Sequence, residues 1–281
     1  MEISKKLETI KNINKTNDTF DYINEDYMNY LNSLNNLESL HLSNFLNVLK
    51  SREIINNQQL ENENSFLMAI YQQTHQNSSL DFLISCYNNQ GFLTKQNIQS
   101  LHKLILEGTK SNYENSQEFR KNDTYVGRFD KNLTPLEIHY VPPKPDEIDS
   151  FMNLFFEFIS EIYTNNIFLN AFIAHAFIAL LQPFQDGNTR LARIIQYGII
   201  WNQTNSIFDL SLKSPALYFS ENYLHYGKSK YRAELKQLAQ IFDSDSWERW
   251  FRYNMTMVEE QLFFVQNNLK EFKKSLKKQY Y

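Results

Sequence analysis

The segment Gln182-Pro183-Phe184-Gln185-Asp186-Gly187-Asn188-Thr189-Arg190-Leu191-Ala192-Arg193 holds the densest set of side chains capable of chemistry. Gly187 and Asn188 tolerate positive φ, so the backbone can turn sharply there. A helix starting just after such a turn offers an anion its unpaired amide groups and the positive end of its dipole. Arg190 and Arg193 lie three apart in the first turn and a half of that helix, and guanidinium forks match phosphate oxygens. Asp186 stands at the entrance, where a carboxylate can hold Mg²⁺ that also bridges phosphates. The set suits a di- or triphosphate. It equally suits a plainer role, a D-G-N turn with Asp186 as helix N-cap and both arginines reaching solvent.

Two very apolar runs must position this loop. Asn166–Leu181 is apolar almost all round and predicts a central buried helix; Thr189 to about Trp201 predicts a second. Helical spacing also covers Phe20–Leu49, 64–75, 79–89, Ile148–Tyr163, 215–225, 229–242 and 246–277. Thr94 reads as the N-cap of a helix through Ile98, Leu101, Leu104 and Ile105, with Gly108 just past its end. Ser51–Asn64 is polar and reads as a connection. Residues 109–145 differ: Thr124-Tyr125-Val126 and Ile138-His139-Tyr140-Val141 are β-prone and flank a turn-like DKNLTP, which predicts a small hairpin.

The fold class is therefore all-α with a small β-hairpin flap. The chain has only 6 Gly and 6 Pro in 281 residues, too few for a turn-rich sandwich or propeller. Seven of those twelve residues fall in the hairpin region and the 182–193 loop. A net charge of −4 argues against a general nucleic-acid binder. A single cysteine, Cys86, fits a reducing compartment. The N-terminal MEISKKLETIKNINKT has no apolar leader core and no run of 18 apolar residues exists, so a cytoplasmic location without membrane insertion is expected. His41, His75, His102 and His225 show no metal-ligand spacing and read as structural or surface residues.

The loop resembles the signature of the Fic family, H-x-F-x-[D/E]-G-N-x-R-x-x-R. Phe184, Asp186, Gly187, Asn188, Arg190 and Arg193 match it, and Pro183 matches the usual His-Pro-Phe. Residues 93–108, Glu118-Phe119-Arg120, Tyr125-Val126-Gly127, Tyr140–Pro145, Ser214–Ser220, Lys228-x-x-Tyr231, Trp247 and Trp250-Phe251 resemble other parts of the family pattern, so the likeness spans about 40–255. Residues 1–17, polar and rich in Lys and Asn, read as an N-terminus that can be loose, and helical spacing gives N-terminal helices within 18–62 and a C-terminal helix at 256–281; the resemblance implies a Fic domain at 63–255 between them, with its flap at about 120–145. It also implies AMP transfer from ATP to a Ser, Thr or Tyr hydroxyl of a target protein. On that pattern Gly187, Asn188 and Thr189 would cradle phosphates and Asp186 would hold Mg²⁺. Arg190 and Arg193 would bind the phosphate tail, with Phe184 anchoring the loop from the core. Tyr231 would border the adenine, and Tyr125, Val126 and Gly127 would clamp the target segment by strand addition.

The sequence departs from the family at three places. Gln182 occupies the position of the catalytic His, and a neutral amide cannot serve as a general base. His175 is two helical turns earlier, about 10.5 Å along the axis, and reads as a core residue. His139 in the flap is the other imidazole near the site. The best match to the family's inhibitory motif, Ser51-Arg52-Glu53-Ile54-Ile55-Asn56, carries Ile55 where a Glu is needed to pair with the last signature arginine. Thr189 replaces the usual Gly. The resulting expectation is an AMP transferase that is weak or inactive, or alternatively a non-catalytic nucleotide-binding or protein-interaction regulator. A homo-oligomer is compatible with either.

Overall fold

In a computed structural model the two most apolar runs form two adjoining central helices. The structure describes residues 21–60, 79, 81–86, 93–107, 118–130, 132, 134–161, 166–208, 212, 216–219 and 227–279. In chain order the elements are α1 (Asp21–Asn35), α2 (Ser39–Leu60), α3 (Lys95–Leu106), β1 (Val126–Phe129), β2 (Pro135–Tyr140), α4 (Ile148–Glu161), α5 (Ile167–Leu181), α6 (Asn188–Phe208), α7 (Gly227–Ile241) and α8 (Ser244–Gln279). A short 3₁₀ turn, Pro145–Glu147, leads into α4. Among the described residues the only sheet is the antiparallel pair β1–β2, and no helix is long and apolar enough to cross a membrane.

Helix α5 is the axis of the fold. Asn166 caps it, its Oδ1 accepting from the N–H groups of Phe168 and Leu169 at 3.1 and 3.2 Å. Every residue of α5 is buried except the half-buried Phe177 and Leu180, as its all-round apolar sequence requires. Helix α6 packs along it more extensively than any other element. Helix α8 docks on α5 through Trp250, whose indole N–H donates to the Phe172 carbonyl at 3.0 Å. These contacts hold the C-terminal end of α5 and the N-terminal end of α6 side by side, with the 182–187 loop between them.

The hairpin is present, but β1 is Val126–Phe129 where 124–126 is expected and β2 is Pro135–Tyr140 where 138–141 is expected; the helical expectations meet four further local differences. The first helical run is broken at 36–38, after the weak helix formers Asn35 and Asn36. Residues 51–60 continue α2 where a polar connection was expected, since no Gly or Pro interrupts 39–60. Helix α6 runs on past Trp201 to Phe208. Residues 216–219 are not helical, because core tyrosines take their backbone groups: the Tyr30 hydroxyl donates to the Ala216 carbonyl at 2.9 Å, and the Phe219 N–H donates to the Tyr197 hydroxyl at 3.3 Å. The predicted cap at Thr94 is present, its side chain accepting from the Asn97 N–H at 3.2 Å. Helix α8 is unbroken through position 255, where the expected main domain ended. Residues 1–17, the expected helix at 64–75, Gly91 and Gly108 lie outside the described residues.

Candidate functional site

The loop after α5 is built around two unusual backbone positions. Gln182 ends α5 in the left-handed region, at φ 48° and ψ 59°, with its N–H donating to the Ile178 carbonyl at 3.1 Å. Gly187 has φ +77°. A Cβ on Gly187 would stand 2.9 Å from Leu106 Cδ2 and 3.1 Å from His102 Nε2, so glycine is required for space as well as for conformation. Between them the Asn188 amide ties the loop to the start of α6. Its Oδ1 accepts from the Phe184 N–H at 2.9 Å, and its Nδ2 donates to the Phe184 carbonyl and to Gln182 Oε1, each at 2.9 Å. Gly187→Ala is expected to cost about 1–3 kcal/mol, read by denaturant unfolding.

Two residues from other elements clamp this loop. His102 of α3 is fully buried, stacks on Phe184 with ring centroids 3.7 Å apart, and donates from Nε2 to the Asp186 carbonyl at 2.7 Å. Arg120, 4% exposed, donates from Nε to the Gln182 carbonyl at 2.7 Å, from Nη1 to the Asn122 carbonyl at 3.0 Å and from Nη2 to the Pro143 carbonyl. The Arg120 N–H also donates to the Pro183 carbonyl at 2.9 Å. One guanidinium thus joins the loop to the exit of the hairpin.

The hairpin forms the facing wall. Its register pairs Val126 with Tyr140, Gly127 with Ile138, Arg128 with Glu137 and Phe129 with Pro135. The turn is closed by Asp130, whose Oδ1 accepts from the N–H groups of Asn132 and Thr134 at 2.8 Å each. Gly127 permits a close strand approach, since a Cβ there would lie 2.0 Å from the Glu137 carbonyl oxygen. The Tyr140 hydroxyl donates to the Ala179 carbonyl at 2.6 Å, while Lys236 of α7 pairs with Glu137 at 2.9 Å and Gln240 donates to the His139 carbonyl at 3.1 Å. Burial raises the Tyr140 phenol well above its ordinary pKa.

Loop, hairpin and α7 enclose a cleft of about 310 Å³. Tyr125, Val126, Gly127, Gln182, Asp186, Gly187, Asn188, Thr189, Arg193 and Tyr231 all line it, which brings nearly all the sequence-derived candidates together. Arg190 is 4% exposed and is not among the lining residues. Neither arginine reaches solvent: Arg193 is 2% exposed. Ser51 lies half-buried on α2, and the side chains of Ile55 and Asn56 lie outside the described residues. His139 lines the cleft, with Nε2 3.6 Å from Glu137 Oε2. His102, read from sequence as a structural or surface residue, and Arg120, read only as part of a resemblance, are the loop's main supports from other elements.

Gln182 itself is fully engaged. Its Nε2 donates to the Ala179 carbonyl at 2.6 Å and its Oε1 accepts from Asn188. His175 is buried, as the sequence suggested. Its Nδ1–H donates to Gln196 Oε1 at 2.5 Å, so Nε2 accepts from the Tyr231 hydroxyl at 2.7 Å. Burial, reinforced by Arg193, pushes its pKa down to about 3. The unfolded chain therefore takes up a proton near pH 6.5 that the folded chain refuses. Stability is expected to fall as pH drops from about 6.5 towards 5, by at most about 1.4 kcal/mol per pH unit. Denaturant titrations across that range check this, and His175→Gln should flatten the slope.

Asp186 is the exposed carboxylate of the loop, its Oδ1 accepting from the Gly187 N–H at 2.6 Å. Among the described residues no group of three or more His, Cys, Asp or Glu side chains gathers into a metal cage. An exposed carboxylate of this kind fits Mg²⁺ that brings its own waters and substrate phosphates, the usual arrangement for that ion.

A family model described as Fic/DOC family matches residues 92–199, which includes α3, the hairpin, the loop and most of α6. A Fic-domain-containing signaling protein from Bacteroides thetaiotaomicron has a similar structure, with TM-score 0.66, 18% identity, and coverage of 89% of this chain and 97% of that one. A Fic family protein from Desulfovibrio desulfuricans aligns with TM-score 0.67 at 14% identity, over 92% of this chain and 74% of that one. Fic-1 from C. elegans aligns with TM-score 0.59 at 15% identity, over 97% and 74%. At these identities the likeness is one of fold.

Proposed function

From the match of residues 92–199 to the Fic/DOC family model, we propose that the cleft binds a magnesium-bound nucleoside triphosphate as a Fic-type AMP transferase would, with the proton-transfer step of that chemistry lost at Gln182. The reading rests on one observation above the rest. The N-terminus of α6, Arg193, Asp186, Tyr231 and the hairpin strand β1 line a single cleft. The helix dipole and a guanidinium favour a phosphate chain there. Asp186 would hold Mg²⁺, which supplies charge neutralisation on the phosphates when bound. Tyr231 and Leu235, both largely buried, offer apolar surface for a base.

In AMP transfer the acceptor hydroxyl oxygen bonds to the α-phosphorus, the bond from that phosphorus to the β-phosphate oxygen breaks, and pyrophosphate leaves. The hydroxyl proton needs an acceptor. Gln182 is not one, because its amide does not titrate and its two ends are already bonded to Ala179 of α5 and Asn188 of α6. This also supports a second reading, a nucleotide-binding regulator without turnover.

Calorimetry with Mg·ATP tests the cleft. The wild-type chain is expected to bind, and Arg193→Gln to weaken binding about tenfold or more, the worth of a charge-assisted hydrogen bond. Absence of heat with the folded wild-type chain would remove the nucleotide reading and leave a protein-interaction module.

A further inference from the structure

Helix α7 contributes more to the cleft than the surface a base would need. Tyr231 and Leu235, four residues apart and largely buried, present one apolar strip. Arg232 and Lys236, also four residues apart, present a cationic strip beside it, and all four residues line the cleft. Lys236 is ion-paired with Glu137 at 2.9 Å. Arg232 is exposed, and among the described residues it has no ion-pair partner. The cleft therefore has a second cationic wall, on a different element from the α6 N-terminus and Arg193.

A plain nucleoside triphosphate has no anion at its nucleoside end to meet that wall. Its charges all lie on the 5′ tail, which the α6 end accounts for. We infer that Arg232, flanked by Lys236, forms a second anion subsite, and that the nucleotide this cleft prefers carries a phosphate on its ribose in addition to its 5′ phosphate. Arg suits the role because its fork can grip two phosphate oxygens at once. Lys236 is shared with Glu137, so it adds field more than a direct grip. The inference rests on the nucleotide reading of the cleft and names its ligand class.

The test compares isomers. ADP, adenosine 2′,5′-bisphosphate and adenosine 3′,5′-bisphosphate have the same atoms and the same number of phosphates, and differ in where the second phosphate sits. Calorimetry with Mg²⁺ on the whole chain is expected to show one of the bisphosphates binding about tenfold or more tightly than ADP. Arg232→Gln, at an exposed position and checked for folding by circular dichroism, should erase that preference by weakening the favoured bisphosphate about tenfold more than ADP. Arg232→Glu should reverse it. Equal affinity for the three isomers, or a preference that survives Arg232→Gln, overturns the second subsite. If ADP still binds in an Arg193-dependent way, the nucleotide reading stands without the subsite. Binding of none of the isomers overturns both. Loss with Arg232→Gln of an acidic peptide's binding, with the isomers indifferent, would assign the wall to a protein acceptor instead.

Discussion

Gln182→His is expected to raise transfer of labelled AMP from Mg·ATP to protein by about 10²–10⁴-fold over the wild-type chain, the usual worth of a general base. The two proteins would be incubated side by side in a lysate and the labelled bands counted. The expectation follows from position and chemistry together. Position 182 ends α5 at the cleft, on a backbone turned left-handed to expose the side chain between Ala179 and Asn188. An imidazole there can take a proton near neutral pH, whereas the amide cannot. Equal labelling by wild type and variant would show that Gln182 does not disable the chemistry.

The second large effect is expected at Arg120. Arg120→Ala strips donors from the Gln182, Asn122 and Pro143 carbonyls at once. Unfolding free energy should drop by about 2–4 kcal/mol, read by denaturant titration. Mg·ATP binding should fall further than stability alone explains, because the same guanidinium holds the loop against the hairpin exit. Arg120→Lys should rescue neither fully, since a single ammonium cannot reach three acceptors in a fork geometry. A variant that loses less than 1 kcal/mol would mean the loop holds its shape through Asn188 and His102 alone.

Much of the site was legible in the sequence because the signals there are local. The D-G-N turn, the apolar runs on either side and the Thr94 cap each depend on residues within one or two turns. Arg190 shows the limit of such reasoning. Three residues of helix cover about 300°, leaving Arg190 and Arg193 roughly 60° apart. That offset suffices to bring Arg193 to the cleft and keep Arg190 off its lining. Arg120 and His102 were hidden for a different reason. Their partners are 62 and 84 residues away, and the spacing of Ile98, Leu101, His102 and Ile105 says only that this face of α3 is buried. The irregular run at 216–219 has no local signature because its backbone groups are satisfied by tyrosines from α1 and α6, which no local pattern encodes.

The hairpin is fastened to two helices, at Tyr140 to α5 and at Glu137 and His139 to α7. It is a strut, spanning a gap whose width the two helices fix, and not a gate that swings over it. Its strand β1 has one edge taken by β2, and among the described residues no strand pairs with the other. A peptide laid along that edge would find it ordered beforehand, so the backbone-ordering cost of association falls chiefly on the peptide. Selection among peptides would then act through stiffness and extended propensity: segments already dwelling in β conformation would be captured, and those favouring helix would be turned away.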